Sequence, residues 1–211
     1  MKTKRQSFVG ERPIFTGSPS IVQGGFNLDI ANQKFNAGDV ISGGSLAIFN
    51  EQTRLVQIIK TAKVSAIDAD DAKIVTLQVD EFYQPCFSVG DKVLKTISGT
   101  YAAAPSITKI EKADSSYVIT LSAAIAGLAV GDTLEEVIAD GSANAAERGL
   151  ANSLTLDEIT VSEFETPVDV TEDTLQYALY ARRVLPIPAS QKDTTGRYLK
   201  ANPHIKLSQS Y

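Results

Sequence analysis

The chain has 211 residues but no Trp, one Cys, one Met and one His. A disulfide within the chain is excluded, and a Cys/His metal centre built by a single copy nearly so. A Ser-His-Asp enzyme would have only His204, close to the C-terminal end, as its base. Long apolar runs are also missing. The greasiest stretch, Ala123 to Val130, is short, is interrupted by Gly127 and falls well below a bilayer span. The first ten residues are polar and basic and lack the apolar core of a signal peptide. These absences lead to an expectation of synthesis in a cytoplasm, no membrane contact, no cofactor and no catalysis. In that compartment Cys86 needs no partner.

What is present is ordinary globular material: 43 % hydrophobic and 21 % charged residues, enough apolar content to rule out wholesale disorder. The formal charge of -5 is unevenly spread. Residues 1–12 hold Lys2, Lys4, Arg5 and Arg12 against Glu11, a net of +3; residues 181–211 hold six Lys or Arg against Asp193, a net of +5; the middle therefore carries -13. Basic ends on an acidic body fit nucleic acid, or an acidic neighbour such as another subunit, or plain solvated tails. No basic stripe is interleaved with aromatics, so nucleic acid is the disfavoured partner.

Three segments share one local pattern: Ala37-Gly38-Asp39-Val40-Ile41, Val89-Gly90-Asp91-Lys92-Val93 and Val130-Gly131-Asp132-Thr133-Leu134. Gly admits positive φ and Asp caps a turn with its side chain, so each reads as a turn feeding a strand. Scattered along the chain, these Asp residues lack the spacing of a cation loop. Period-two alternation is widespread. Val56, Ile58, Ala62 and Val64 share a face interrupted by Lys60. Val75, Leu77 and Val79 form another face, and Tyr117, Ile119 and Leu121 a third. Val168 with Val170, and Tyr177 with Leu179, suggest two more. Many short alternating runs separated by turn residues predict an all-β fold, a small barrel or sandwich, with at most one short helix. The Ala-rich segment Ser142 to Asn152 is the one helix candidate; Gly149 weakens it, and a loop or two turns are expected there.

The organisation expected is an extended arm over 1–36, a central β module over 37–140, and a strand set with an extended tail over 141–211. The arm is punctuated by Pro13, Gly17, Pro19, Gly24 and Gly25 and carries Phe8, Phe15 and Phe26 as spaced anchors. The tail has Pro186, Pro188 and Pro203 with apolar residues between them. Neither end forms a core alone. Burying one such side chain is worth about 1.5–3 kcal/mol, so both ends are expected to lie against the body or against another copy.

From Thr61 onward the order of motifs is distinctive. Asp71-Ala72-Lys73-Ile74-Val75-Thr76-Leu77-Gln78-Val79 is followed by Phe87 to Val93, Ile107 to Ile110, Tyr117 to Leu121 and Leu128 to Leu134. Asn152 to Val161, Tyr177 to Pro186 and Pro203-His204-Ile205 complete it. Over residues 37–211 the chain resembles the head-fibre, or capsid decoration, proteins of tailed phages and of Bacteroidales prophages. That resemblance implies a structural virion protein on the outer capsid surface, commonly a homotrimer, with the major capsid protein as partner and no catalytic residues. Tyr177, Tyr180, Arg182, Arg183 and Pro186 are the best candidates for a subunit or shell contact, because Tyr and Arg are enriched in interface hot spots; an edge strand with snorkelling arginines is the plainer alternative. A non-catalytic glycan- or surface-binding module is the rival function. The absence of Trp counts against glycan stacking.

Other conspicuous residues have quieter readings. Cys86 shows no neighbouring base and is expected as a small buried hydrophobe. His204 reads as a polar tail residue. Glu163 and Glu165 are placed on one strand face toward solvent, not across a cleft as a glycosidase requires. Asp68-Ala69-Asp70-Asp71 reads as a solvated hairpin tip.

Overall fold

The computed structural model describes residues 13–22, 25–113, 116–171 and 176–209. The fold is mostly β. Its helical content among the described residues is two single-turn 3-10 segments, Tyr101–Ala103 and Ala189–Gln191. In chain order the strands begin with β1 (Phe26–Leu28), β2 (Val40–Ile41), β3 (Leu46–Asn50), β4 (Leu55–Ile58) and β5 (Thr61–Ile67). Next come β6 (Ile74–Leu77), β7 (Lys92–Leu94), β8 (Ile107–Ala113), β9 (Ser116–Leu121), β10 (Thr133–Ala139) and β11 (Ala145–Glu147). The last are β12 (Ser153–Leu154), β13 (Ile159–Thr160), β14 (Pro167–Val168), β15 (Tyr177–Tyr180) and β16 (Ile205–Ser208).

The first sheet runs β12-β3-β4-β1-β14 and curls until its ends meet. The Thr171 N–H donates to the Leu154 carbonyl and the Leu156 N–H to the Asp169 carbonyl, both at 2.9 Å, so the chain leaving β14 pairs with the chain leaving β12. Phe26, Leu28, Phe49, Val56, Ile58, Cys86 and Val168 fill the interior. The second sheet runs β11-β10-β5-β6-β9-β8, with β7 also on β10. It curls as well: the start of β8 bonds to the turn ahead of β7 through Gly90 N–H to Ile107 O and Ile107 N–H to Asp91 O, each 2.8 Å. Val64, Val75, Leu77, Phe87, Tyr117, Ile119 and Leu134 pack inside it. Curling removes most of the exposed edge that a flat sheet would leave. A third cluster lies beneath β15 and β16, which run parallel.

The three Gly-Asp segments form the same turn three times. Gly38, Gly90 and Gly131 have φ of 86, 95 and 94°. In each, the Asp carboxylate accepts the N–H three residues back: Asn36 at 2.7 Å, Ser88 at 2.8 Å and Ala129 at 2.8 Å. Gly and Asp then straddle one residue of the facing chain (Val161, Ile107 and Val64 respectively), each exchanging two 2.8 Å backbone bonds with its turn. Two residues opposite one, the first a left-handed Gly, make a bulge that strengthens the local twist. Each Asp also meets a lysine: Lys112 at 2.7 Å, Lys60 at 2.7 Å and Lys95 at 3.4 Å. Val89 and Val130 are exposed because they occupy the corners of these turns.

Several expectations change. Val56, Ile58, Ala62 and Val64 do not belong to one strand: the chain breaks at Ile59-Lys60 and passes from β4 in the first sheet to β5 in the second. Lys60 is the pivot and is 0 % exposed. Its ammonium donates to Asp91 Oδ2 at 2.7 Å, Lys34 O at 2.5 Å and Ser88 Oγ at 3.2 Å, and it sits 4.4 Å from the Phe35 ring centroid. Ser142 to Asn152, where a loop or two turns are expected, contains no helix, but it does include a strand. Asp140 gathers the N–H groups of Ser142 and Asn144 at 2.8 and 2.7 Å into a turn, and β11 follows on the edge of β10. Local capping by Asp140 and ladder bonds to β10 outcompete the modest helix propensity of the Ala residues. Glu163 and Glu165 are exposed, but on a loop between β13 and β14 instead of a strand. The Asp68–Asp71 run, by contrast, is the hairpin tip expected, joining β5 and β6, where Asp68 caps the N–H groups of Asp70 and Asp71 at 2.9 Å.

Of the stretch read as an arm, residues 26–28 form β1, an inner strand between β4 and β14. Phe15 and Phe26 are buried in this chain's own cores, and Phe8 lies outside the described residues. Of the two covers left open for these ends, the body is the one that shelters Phe15, Phe26, Ile187, Leu199, Ile205 and Leu207.

Removing the pivot cation leaves the Asp91 carboxylate buried beside the Ser88 N–H. Lys60→Met is expected to cost on the order of 3–5 kcal/mol in urea unfolding, as broken buried pairs do. A loss below about 1 kcal/mol, typical of exposed pairs, would remove the pivot role.

Candidate interaction surfaces

Tyr177, Tyr180 and Arg183 are engaged within the chain. Tyr177 meets Phe15 edge-to-face at 5.8 Å between centroids, and its hydroxyl bonds the Thr171 hydroxyl at 2.5 Å. The Arg183 guanidinium lies 4.4 Å from the Tyr180 ring centroid and 5.6 Å from that of Phe82, and it donates to the Pro13 carbonyl at 2.7 Å. Residues 14–16 thereby add to the free edge of β15, with Thr16 N–H to Ala178 O at 2.8 Å and Tyr180 N–H to Ile14 O at 2.9 Å. The Tyr/Arg signal read from the sequence thus marks a clasp on the N-terminal segment, while Arg182 and Pro186 point to a different feature.

That feature is a recess of about 520 Å³ between the second sheet and the C-terminal ribbon. Lys63 of β5, Gln78, Tyr83 and Thr133 of β10 line one side; Arg182, Val184, Pro186, Ile187, Lys192 and Leu207 line the other. Its lining contributes three cations and no carboxylate among the described residues. Burial pushes the Tyr83 phenol upward, and the Asp80 charge beside it adds to that, so Tyr83 stays neutral and acts as a polar wall.

A second concavity of about 770 Å³ lies under the clasped segment. Ile14, Phe15, Ile21, Phe82 and Leu156 supply apolar lining, and Glu81, Asp157 and Glu158 supply three carboxylates, with no cation in the lining among the described residues. Gly43 forms part of it at a close approach: a Cβ there would sit 3.2 Å from the Ile14 side chain and 3.3 Å from the Asp157 backbone.

The loop carrying Glu163 and Glu165 presents Phe164, which is 82 % exposed. The loop is tied at its base: the Ser162 N–H donates to Thr166 Oγ1 at 3.0 Å, the Ser162 hydroxyl bonds the Glu165 carbonyl, and the Leu28 N–H of β1 bonds the Thr166 carbonyl at 2.9 Å. The ring is held out on a braced support.

Cys86 and His204 lie outside both concavities. Cys86 is enclosed in the first core, and burial pushes its thiol up to about 12. His204 is exposed, its N–H capped by Asn202 Oδ1 at 3.0 Å. No group of three or more His, Cys, Asp or Glu residues among those described is arranged to hold a metal ion. Lys63, Phe82, Phe164 and Lys192 carried no site reading in the sequence, and Lys60 entered only as the interruption of an apolar face. Only Lys60 had a usable signal, since it falls on the apolar phase of Val56, Ile58, Ala62 and Val64.

Beside the recess, Glu135 on β10 is nearly enclosed, accepting the Ser190 hydroxyl at 2.8 and 3.1 Å. Burial raises its carboxyl to about 6, while the bonds from Ser190 and Gln191 pull it back and the Glu147 charge adds to the rise. A carboxyl raised on folding stabilises the fold below its unfolded pKa and loses that contribution as pH climbs through the folded value. Glu135→Gln is therefore expected to gain on the wild type by about 2 kcal/mol between pH 4 and pH 7.5, read from unfolding curves at both. An equal difference at the two pH values would remove the assignment.

Comparison with family models, with curated proteins and with solved structures finds no match to this chain.

Proposed function

We propose that this chain is a non-catalytic structural subunit: a capsid decoration or head-fibre base protein of a tailed phage or prophage, bound as a homotrimer to the major capsid protein on the outer shell. The observation that carries the reading is the pairing of two concavities of opposite charge, the acidic groove and the basic recess, on one closely hydrogen-bonded β scaffold. A subunit held by both sister copies and a shell needs chemically distinct docking faces on a body shaped before contact. The order of motifs over residues 37–211 supports the same reading, as does the use of Asp39, Asp91 and Asp132 to hold turns. Repetition over a capsid lattice multiplies modest contacts through multivalency.

Two measurements test it. Sedimentation velocity of the purified chain is expected to give three times the chain mass of 22.6 kDa. Density-purified virions from a culture carrying the gene are expected to retain the protein in many copies after high-salt washing. A monomer that is absent from such particles would overturn the proposal.

The alternative, a glycan-binding module, draws on the groove: Phe82 offers a ring face, and Glu81, Asp157 and Glu158 offer acceptors for sugar hydroxyls. Low-micromolar binding on a glycan array, lost in Phe82→Ala, would favour it over the structural reading.

A further inference from the structure

We infer that Phe164 of one copy seats in the basic recess of the next, so that the oligomer is joined head to tail by a knob and a socket. The inference rests on the homo-oligomeric reading above and names its contact. Three independent features agree. Phe164 is 82 % exposed, more than Ile21, Ile30, Val89 or Val130, of which the two most exposed are explained by turn corners. Its loop is braced at the base by Ser162 and Thr166, so the backbone has less freedom to lose when the ring is captured. The knob is Glu163-Phe164-Glu165, an aromatic ring between two carboxylates, and the recess combines apolar Pro186 and Ile187 with the cations Lys63, Arg182 and Lys192.

The complementarity extends to chemistry and shape. A phenyl ring fits readily in 520 Å³. The two flanking carboxylates then face cations, and the contact rejects the acidic groove on the same body by like-charge repulsion. Knob and recess share no residue, so one copy can offer its knob while its recess is filled by another. Such a heterologous contact generates a ring when the rotation between copies closes, and a third of a turn per copy is what the proposed trimer requires. Capture buries an aromatic group at the centre of a charged rim, the arrangement of an interface hot spot.

The full chain is compared by sedimentation velocity with Phe164→Ala, with the double variant Lys63→Glu/Lys192→Glu, and with an equimolar mixture of the two variants. The wild type is expected to be a trimer. Each variant is expected to lose self-association by about 10- to 100-fold in Kd. The mixture is expected to stop at a one-to-one dimer, because it contains one intact knob and one intact recess. Both sites lie at the surface, and unchanged thermal unfolding midpoints confirm that each variant folds. A wild-type trimer that persists in Phe164→Ala, or a mixture that stays monomeric, overturns the knob-and-socket contact and leaves the oligomeric reading intact. A monomeric wild type overturns both.

Discussion

The buried Lys60–Asp91 pair is the constraint on which the rest of the molecule depends. It sits where the chain leaves the first sheet and enters the second, and its ammonium is held by acceptors from two places: the Ser88–Asp91 turn and the Lys34 carbonyl. Next to it, Gln33 bonds the backbone of Ile58 in β4 and reaches Glu136 on β10, which Arg148 clamps at 2.8 Å. The joint between the sheets is thus polar and closely bonded. Such a joint adds little net stability. Burial pushes the Asp91 carboxyl upward even with Lys60 beside it, so desolvation outweighs the attraction. What the pair supplies is orientation: the bonds close in one arrangement of the sheets, and slippage would strand a charge.

That fixed arrangement shapes the surface. The recess exists because the C-terminal ribbon is held against the second sheet at a set distance, with Lys63 and Thr133 facing Pro186 and Ile187. The acidic groove exists because Arg183 clasps Pro13 and brings residues 14–21 over Gly43, Phe82 and Leu156. Neither concavity belongs to a single segment. Walls fixed in this way are shaped before contact, which lowers the ordering cost of whatever binds there.

The residues legible in advance are those governed by local rules. Gly38, Gly90 and Gly131 were readable as left-handed corners because no other residue adopts that φ without strain, and the following Asp was readable as a cap. The Asp68–Asp71 tip was legible for the same reason. Cys86 was legible as a core residue because nothing near it in sequence activates a thiol. Lys60 was half legible: its place in the alternating pattern pointed inward, but its partner lies 31 residues away, and no local rule identifies Asp91. Tyr177, Tyr180 and Arg183 were recognised as contact makers, yet the contact turned out to be with Phe15, Phe82 and Pro13 of the same chain.

The amino-acid order by itself determined a β fold with scarcely any helix, its recurrent Gly-Asp corners, and the single Cys that excludes an intrachain disulfide. These follow from side-chain alternation, backbone sterics and composition, which act over a few residues. Tertiary structure alone decided that β4 and β5 part company, that Phe15 and Phe26 turn inward, that three distant cations share one recess, and that Phe164 is left outside. Those outcomes depend on closing two curled sheets against each other, a condition that couples residues more than a hundred positions apart and leaves no trace in any short window of sequence.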